Sequence, residues 1–135
     1  MKNIPVLLLA LTIFIAKPAI SFGEMYDGNI LLEDCKQFLK YMDNKKDPSV
    51  VMSSIGYCLG YMQGHIDFQQ HLEKNPASNI EHCFPSDTSV SKLAKITVHY
   101  LEDNPNKLNK PAIEITLAAF AENFPCTKPL SQTSR

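Results

Sequence analysis

Four histidines, four cysteines and a few serine and carboxylate pairs are the side chains of this chain whose types could do chemistry. His65 and His71 stand six apart, on different faces of a helix, so the i, i+4 pair that holds a metal on one face is missing. His82 adjoins Cys83, and His99 stands alone. Ser53-Ser54 and the pair Ser89 and Ser91 lack the G-x-S-x-G setting of a hydrolase nucleophile. Glu33-Asp34 and Glu102-Asp103 are consecutive, so their carboxylates point apart on a helix and read as solvated faces. No glycine-rich phosphate loop is present. The expectation is a chain with no catalytic set, no metal site and no cofactor.

The cysteines offer a different chemistry. Cys35, Cys58, Cys83 and Cys126 are separated by 22, 24 and 42 residues, which lacks the short paired spacing of a zinc site. There is no C-x-x-C-H for covalent haem. An even set of this kind reads as two disulfides if the compartment is oxidising. A disulfide-bonded Cys83 would be neither ligand nor nucleophile.

The N-terminus supplies the compartment. Met1-Lys2-Asn3 is a short positive start, Ile4 to Ala16 is a nearly unbroken apolar run of 13, and Lys17-Pro18 ends it. That run is short for a bilayer span but right for a signal-peptide core. Ser21 and Gly23 are spaced as a cleavage pair, so residues 1–23 read as a signal peptide cut after Gly23, against the alternative of an uncleaved anchor. Cys35 follows Glu33-Asp34, so no lipoprotein box precedes it. The mature chain, residues 24–135, carries 11 basic against 14 acidic side chains. No basic surplus marks it for nucleic acid, and nothing marks it for a membrane once the signal is gone. The reading is an exported, periplasmic protein with one domain over residues 24–126 and a disordered tail over 127–135.

The elements that position these residues are helices. Leu31, Cys35, Phe38 and Met42, widened by Leu32 and Leu39, predict a first helix from about Asn29 to Met42. Asp47 as N-cap and Pro48 at the first helical position open a second, with Val51, Ile55, Cys58, Met62 and Ile66 as its stripe to about Leu72. A loop rich in breakers runs from Asn75-Pro76 to Pro85-Ser86-Asp87. Asp87 or Thr88 caps a third helix striped by Val90, Leu93, Ala94, Thr97 and Leu101, which ends at Asn104-Pro105-Asn106. Asn109 caps a fourth, with Pro111 in its first turn and a stripe of Ile113, Leu117, Phe120 and Phe124. No stretch alternates with period two, so the fold class is all-α: four helices in two antiparallel hairpins. The midpoint of Cys35 and Cys58 falls between Lys46 and Asp47, and that of Cys83 and Cys126 between Asn104 and Pro105. Both midpoints lie in predicted turns, so the pairs face one another and the disulfides are Cys35–Cys58 and Cys83–Cys126.

The second helix is unusual. Gly56, Gly60 and Gly64 recur every four residues, each costing about 1 kcal/mol against alanine. They form one strip with Asp67, and Tyr57, Tyr61 and Phe68 form an adjoining one. Either a helix of the same chain packs closely on the glycines, or Gly56, Gly60, Tyr61, Gly64 and Asp67 make a docking face for another protein or a second copy.

Cys58-Leu59-Gly60-Tyr61-Met62-Gln63-Gly64 with Asp67, then Cys83-Phe84-Pro85, Tyr100-Leu101 with Asn104-Pro105, and Ala118-Ala119-Phe120 leading to Phe124-Pro125-Cys126, span about residues 28–126. In these stretches the chain resembles the Rap/Tai family of immunity proteins of bacterial type VI secretion systems. The resemblance implies a periplasmic helical protein that binds and silences a secreted toxin, the best-known toxins being peptidoglycan amidases. Protection would be steric, with no chemistry of its own. A cleft needs a protrusion, and the polar, proline-stiffened turn Glu102-Asp103-Asn104-Pro105-Asn106-Lys107 is the first choice for the inserted element, with Asp103, Asn104, Asn106 and Lys107 as its contacts. The alternative is an ordinary helix connection. The glycine–aromatic face is the second choice, as a surface for a homodimer.

Two other classes share these features. An HdeA-type acid-stress chaperone is also small, periplasmic, helical and disulfide-bonded, although two disulfides holding both hairpins oppose the loosening it needs. A small-ligand carrier would need a large apolar pocket between the helices.

Overall fold

A computed structural model describes residues 26–74 and 82–126; the expected signal peptide and tail, and the Asn75–Asn79 stretch, lie outside the described residues. Four α-helices form there: α1 Gly28–Asp43, α2 Met52–Glu73, α3 Val90–Asp103 and α4 Ala112–Asn123, with a 3-10 turn at Pro105–Lys107. α1 lies against α2 and α3, and α3 packs in turn on α4. Among the described residues the only β-type pairings are two isolated bridges, Asp27 with Pro111 and His82 with Pro125.

Local chemistry sets where each helix starts. Asp27 caps α1, its carboxylate accepting from the Asn29 and Ile30 amides at 2.9 and 3.1 Å. Those amide bonds, that to Ile30 foremost, hold the Asp27 carboxyl below the usual carboxylate range. Asp47 does not cap α2 as the sequence suggested. Its carboxylate closes a turn on the Ser49 amide and hydroxyl, at 2.9 and 2.6 Å, and Pro48 is spent in that turn. α2 starts at Met52 instead, and the Val51 amide finds the Gln37 side chain of α1 at 3.3 Å. Ser89, rather than Asp87 or Thr88, caps α3. Pro111 stands at the N-cap of α4, and Asn109 is used elsewhere.

Both disulfides form as the hairpin register required. Cys35–Cys58 joins α1 to α2, and Cys83–Cys126 joins the segment before α3 to the segment after α4, each with Cα atoms 5.0 Å apart. The second closure is reinforced by the Cys83 amide, which donates to the Phe124 carbonyl at 2.8 Å. Chain-constraint arguments give each bond about 2–4 kcal/mol, a large share of the stability of a domain this size.

The core contains Leu31, Phe38, Met62, Leu93, Leu101 and Phe120, all buried. Two predicted stripes are rotated. On α4 the buried side is Ala112, Ile115, Thr116, Ala119 and Phe120, whereas Ile113 is half exposed. On α2 Val51 faces out, and His65 and Gln69 lie inside with Ile55, Cys58 and Met62. Gln69 has its polar atoms answered: Oε1 accepts from the Phe84 amide at 2.9 Å and Nε2 donates to Glu73 at 2.6 Å. Asp34, expected on a solvated face, is also buried, and its carboxylate accepts the Tyr26 hydroxyl at 2.7 Å.

Gly28 has a steric reason. A Cβ there would stand 2.6 Å from Ile115 Cδ1, 2.8 Å from the Leu108 carbonyl oxygen and 2.9 Å from Leu108 Cα. Gly28→Ala should therefore lower stability by about 1–3 kcal/mol in a denaturant titration, because two of the three atoms are backbone and cannot swing aside. An unchanged midpoint would contradict this packing.

Candidate functional site

Two surfaces came out of the sequence as partner-facing: the turn after α3 and one side of α2. The turn is tightly held. Asn104 donates its side-chain amide to the Tyr100 carbonyl at 2.8 Å, which satisfies the end of α3. The Lys107 ammonium donates to the Tyr100 hydroxyl and lies 4.5 Å from the centre of that ring. Backbone bonds Lys107 to Asn104 at 2.9 Å and Lys110 to Lys107 at 2.9 Å carry the turn round. Asn104 and Lys107 thus stiffen the turn from within, whereas Asp103 and Asn106 are exposed on it. Asp103 meets the His99 imidazole at 3.3 Å on the same helix face, and Lys36 meets Glu102 at 2.8 Å. Both pairs are exposed, so they contribute little to stability.

The glycines settle differently from the packing alternative. A Cβ on Gly56, Gly60 or Gly64 would meet nothing within 4 Å, so no helix of the described chain approaches the strip. Asp67 bonds only along its own helix, accepting from Gln63 at 2.8 Å. Around this bare backbone stand Met52 and Tyr57, two-thirds exposed, together with Leu59 and Phe68. Tyr61 sits at the edge of the strip, half-buried, its ring 5.3 Å from Tyr26 and 5.1 Å from His65. Burial pushes its phenol up, so it stays protonated.

The titratable groups inside serve structure. The Thr116 hydroxyl lies 3.0 Å from the Ala112 carbonyl and shares a hydrogen bond with His65 Nε2 at 3.0 Å, whose direction follows the imidazole tautomer. His65 is also wedged edge-on against Phe120, with ring centres 5.1 Å apart. Burial, with the nearby His82 second, pushes its pKa down to about 4. His82 lies under Phe84 and Phe120. No group of three His, Cys, Asp or Glu side chains among the described residues is placed to hold a metal.

The described surface carries grooves beside both the turn and the end of α2. One of about 510 Å³ lies beside the turn, lined by Lys95, His99, Asp103, Glu122 and Asn123 over Ile96 and Tyr100. Another of about 230 Å³ lies between the end of α2 and Pro85–Thr88. Both have mixed linings, the first with Ile96 and Tyr100 beneath its charged rim and the second with Ile66, Phe84 and Pro85 beside Gln69, Gln70 and Glu73.

Sequence reasoning missed Asp34 and Tyr26. Asp34 had a signal, since Leu31, Asp34, Cys35 and Phe38 share one helical stripe. Tyr26 had none, because its partners lie on α1, α2 and the start of α4.

Two outcomes follow. The unfolded chain protonates its histidine near pH 6.5 while folded His65 resists to about 4, so stability should fall as pH drops through that window, by about 3 kcal/mol in all. His65→Gln should remove most of that slope in denaturant titrations between pH 7 and 4; an equally steep slope would place the buried proton elsewhere. Gly60→Ala should raise stability by about 0.5–1 kcal/mol, since the methyl meets open space and the helix gains propensity. A loss there would mean the strip is covered in solution.

The family model for Rap1a immunity proteins matches residues 27–126. No curated protein and no solved structure gives a significant match. The match runs from the N-cap of α1 to the last cysteine, and so takes in both hairpins, both disulfides, the turn and the glycine strip. The chain belongs to the Rap1a immunity protein family.

Proposed function

We propose that the mature chain is a periplasmic immunity protein that binds a type VI secretion effector, a peptidoglycan amidase, and blocks it sterically. Signal cleavage and export come first, then oxidation of both cysteine pairs. The chain does no chemistry itself. Its turn, with Asp103 and Asn106 outward and Asn104 and Lys107 bracing it, enters the amidase cleft.

The observation that carries this reading is the placement of polar and apolar groups together with the family. Buried His65 and Asp34 are committed to internal partners, while a stiff polar turn and a bare, aromatic-flanked helix face point outward. Backbone exposed on a helix, ringed by Met52, Tyr57, Leu59 and Phe68, suits a protein surface that packs close. The outer face of α2 is the second docking surface in this reading. Its occupant is the toxin or a second copy of this chain, and the mass of the free protein in solution decides between them.

The test uses the oxidised 24–135 protein against a panel of purified type VI peptidoglycan amidases, reading crosslink cleavage in isolated cell walls. Stoichiometric loss of activity for at least one amidase is the expected result, with Asp103→Ala and Asn106→Ala each weakening inhibition several-fold at unchanged Tm. Full cleavage by every amidase at saturating protein would overturn the amidase assignment. Retention of many unrelated proteins only near pH 3 would instead establish an acid chaperone.

A further inference from the structure

The four residues at the start of α1, Tyr26 to Asn29, do more than cap it. The Tyr26 carbonyl accepts from the Ala112 amide at 2.9 Å, the Gly28 amide donates to the Lys110 carbonyl at 3.0 Å, and the Asn29 amide donates to the Leu108 carbonyl at 3.0 Å. The Asn29 side chain adds two more bonds, Nδ2 donating to the Leu108 carbonyl at 3.1 Å and to Asn109 Oδ1 at 3.0 Å. Residues 26–29 therefore lace down residues 108–112, the stretch that carries the chain from the turn into α4, and Gly28 lies so close beneath Leu108 that no side chain fits between them.

The other end of this segment is anchored on the opposite candidate surface. The Tyr26 hydroxyl donates to buried Asp34 at 2.7 Å, and its ring lies against Tyr61 beside the glycine strip of α2. One short strap thus fixes the turn relative to the outer face of α2. The core does not require the Asn29 side chain, which is exposed and lies off the apolar stripe of α1. Its carboxamide is used only on Asp27 beside it and on Leu108 and Asn109, where the chain leaves the turn.

We propose that residues 26–29 are a positioning device for the inhibitory turn, with Asn29 holding the turn and Tyr26 anchoring the strap. The inference rests on the reading of the turn as the element that enters the toxin. An element ordered before binding loses less freedom on docking, so loosening it weakens the complex without touching a contact atom.

The decisive variants are Asn29→Ala and Asn29→Asp. Aspartate keeps the size and the backbone bonds, removes both side-chain donors, and turns a carboxylate toward the Leu108 carbonyl and Asp27, a repulsion that the start of α1 offsets. Both variants should keep Tm within about 2 °C of wild type. In both, amide exchange at Lys107, Leu108 and Lys110 should accelerate about tenfold while helix amides stay unchanged, the signature of local opening. Inhibition of the amidase silenced in the assay above should weaken about tenfold. Unchanged exchange in the turn, or faster exchange with undiminished inhibition, would overturn the proposal. Asn106→Arg separates the two levels. If it leaves inhibition intact, the turn is not the inhibitory element and the parent reading falls with the strap. If it abolishes inhibition while both Asn29 variants act as wild type, only the strap falls.

Discussion

The packing of Phe120 decides how this molecule is arranged. The ring is fully buried, with His65, His82 and Phe84 around it at 5.1, 5.7 and 5.2 Å between centres. It brings together α4, α2 and the segment ahead of α3, and edge-to-face contacts of this kind add about 0.5–1.5 kcal/mol each beyond burial. His65 lies two turns along α2 from Cys58, which is bonded to α1. These two fixed points set the rotation of α2. Gly56 and Gly60, two residues either side of Cys58, are then carried about 200° round and face away from the bundle. The bare strip follows from which residues had to be inside.

The helices and both disulfides were legible in the sequence because their signals are local or metric. Apolar spacing marks each helix, and hairpin register pairs Cys35 with Cys58 and Cys83 with Cys126. The rotation of α4 was not legible. Its sequence from Ala112 to Ala121 is apolar almost all round, so several stripes fit equally well, and the choice falls to Thr116 meeting His65 across the fold. The start of α2 misled for a different reason. Asp47-Pro48 is a good helix opening and an equally good turn, and Lys40, with its ammonium 3.3 Å from Asp47 and 2.6 Å from Ser49, favours the turn. The glycine strip announced a penalty without saying where it was offset. Asn109, read as a cap, is held by Asn29 from far along the chain, a partnership no periodicity reveals.

The division of labour is clear for so small a chain. The titratable and ligating groups that lie inside are occupied: His65 by Thr116, Asp34 by Tyr26, the sulfurs by each other. Outward lie a braced polar turn and a helix face of backbone and exposed aromatic side chains. An inhibitor needs rigidity and shape more than reactivity, and two disulfides with a laced turn supply it. The Rap1a family assignment and this arrangement point the same way.

The most direct measurement of the central claim is an amide-exchange footprint of the oxidised protein, free and in a stoichiometric complex with a type VI effector that it inhibits. The account predicts that residues 104–110 become strongly protected in the complex while the amides buried around Phe120 exchange as before. A tight complex in which those turn amides exchange as fast as in the free protein would contradict it.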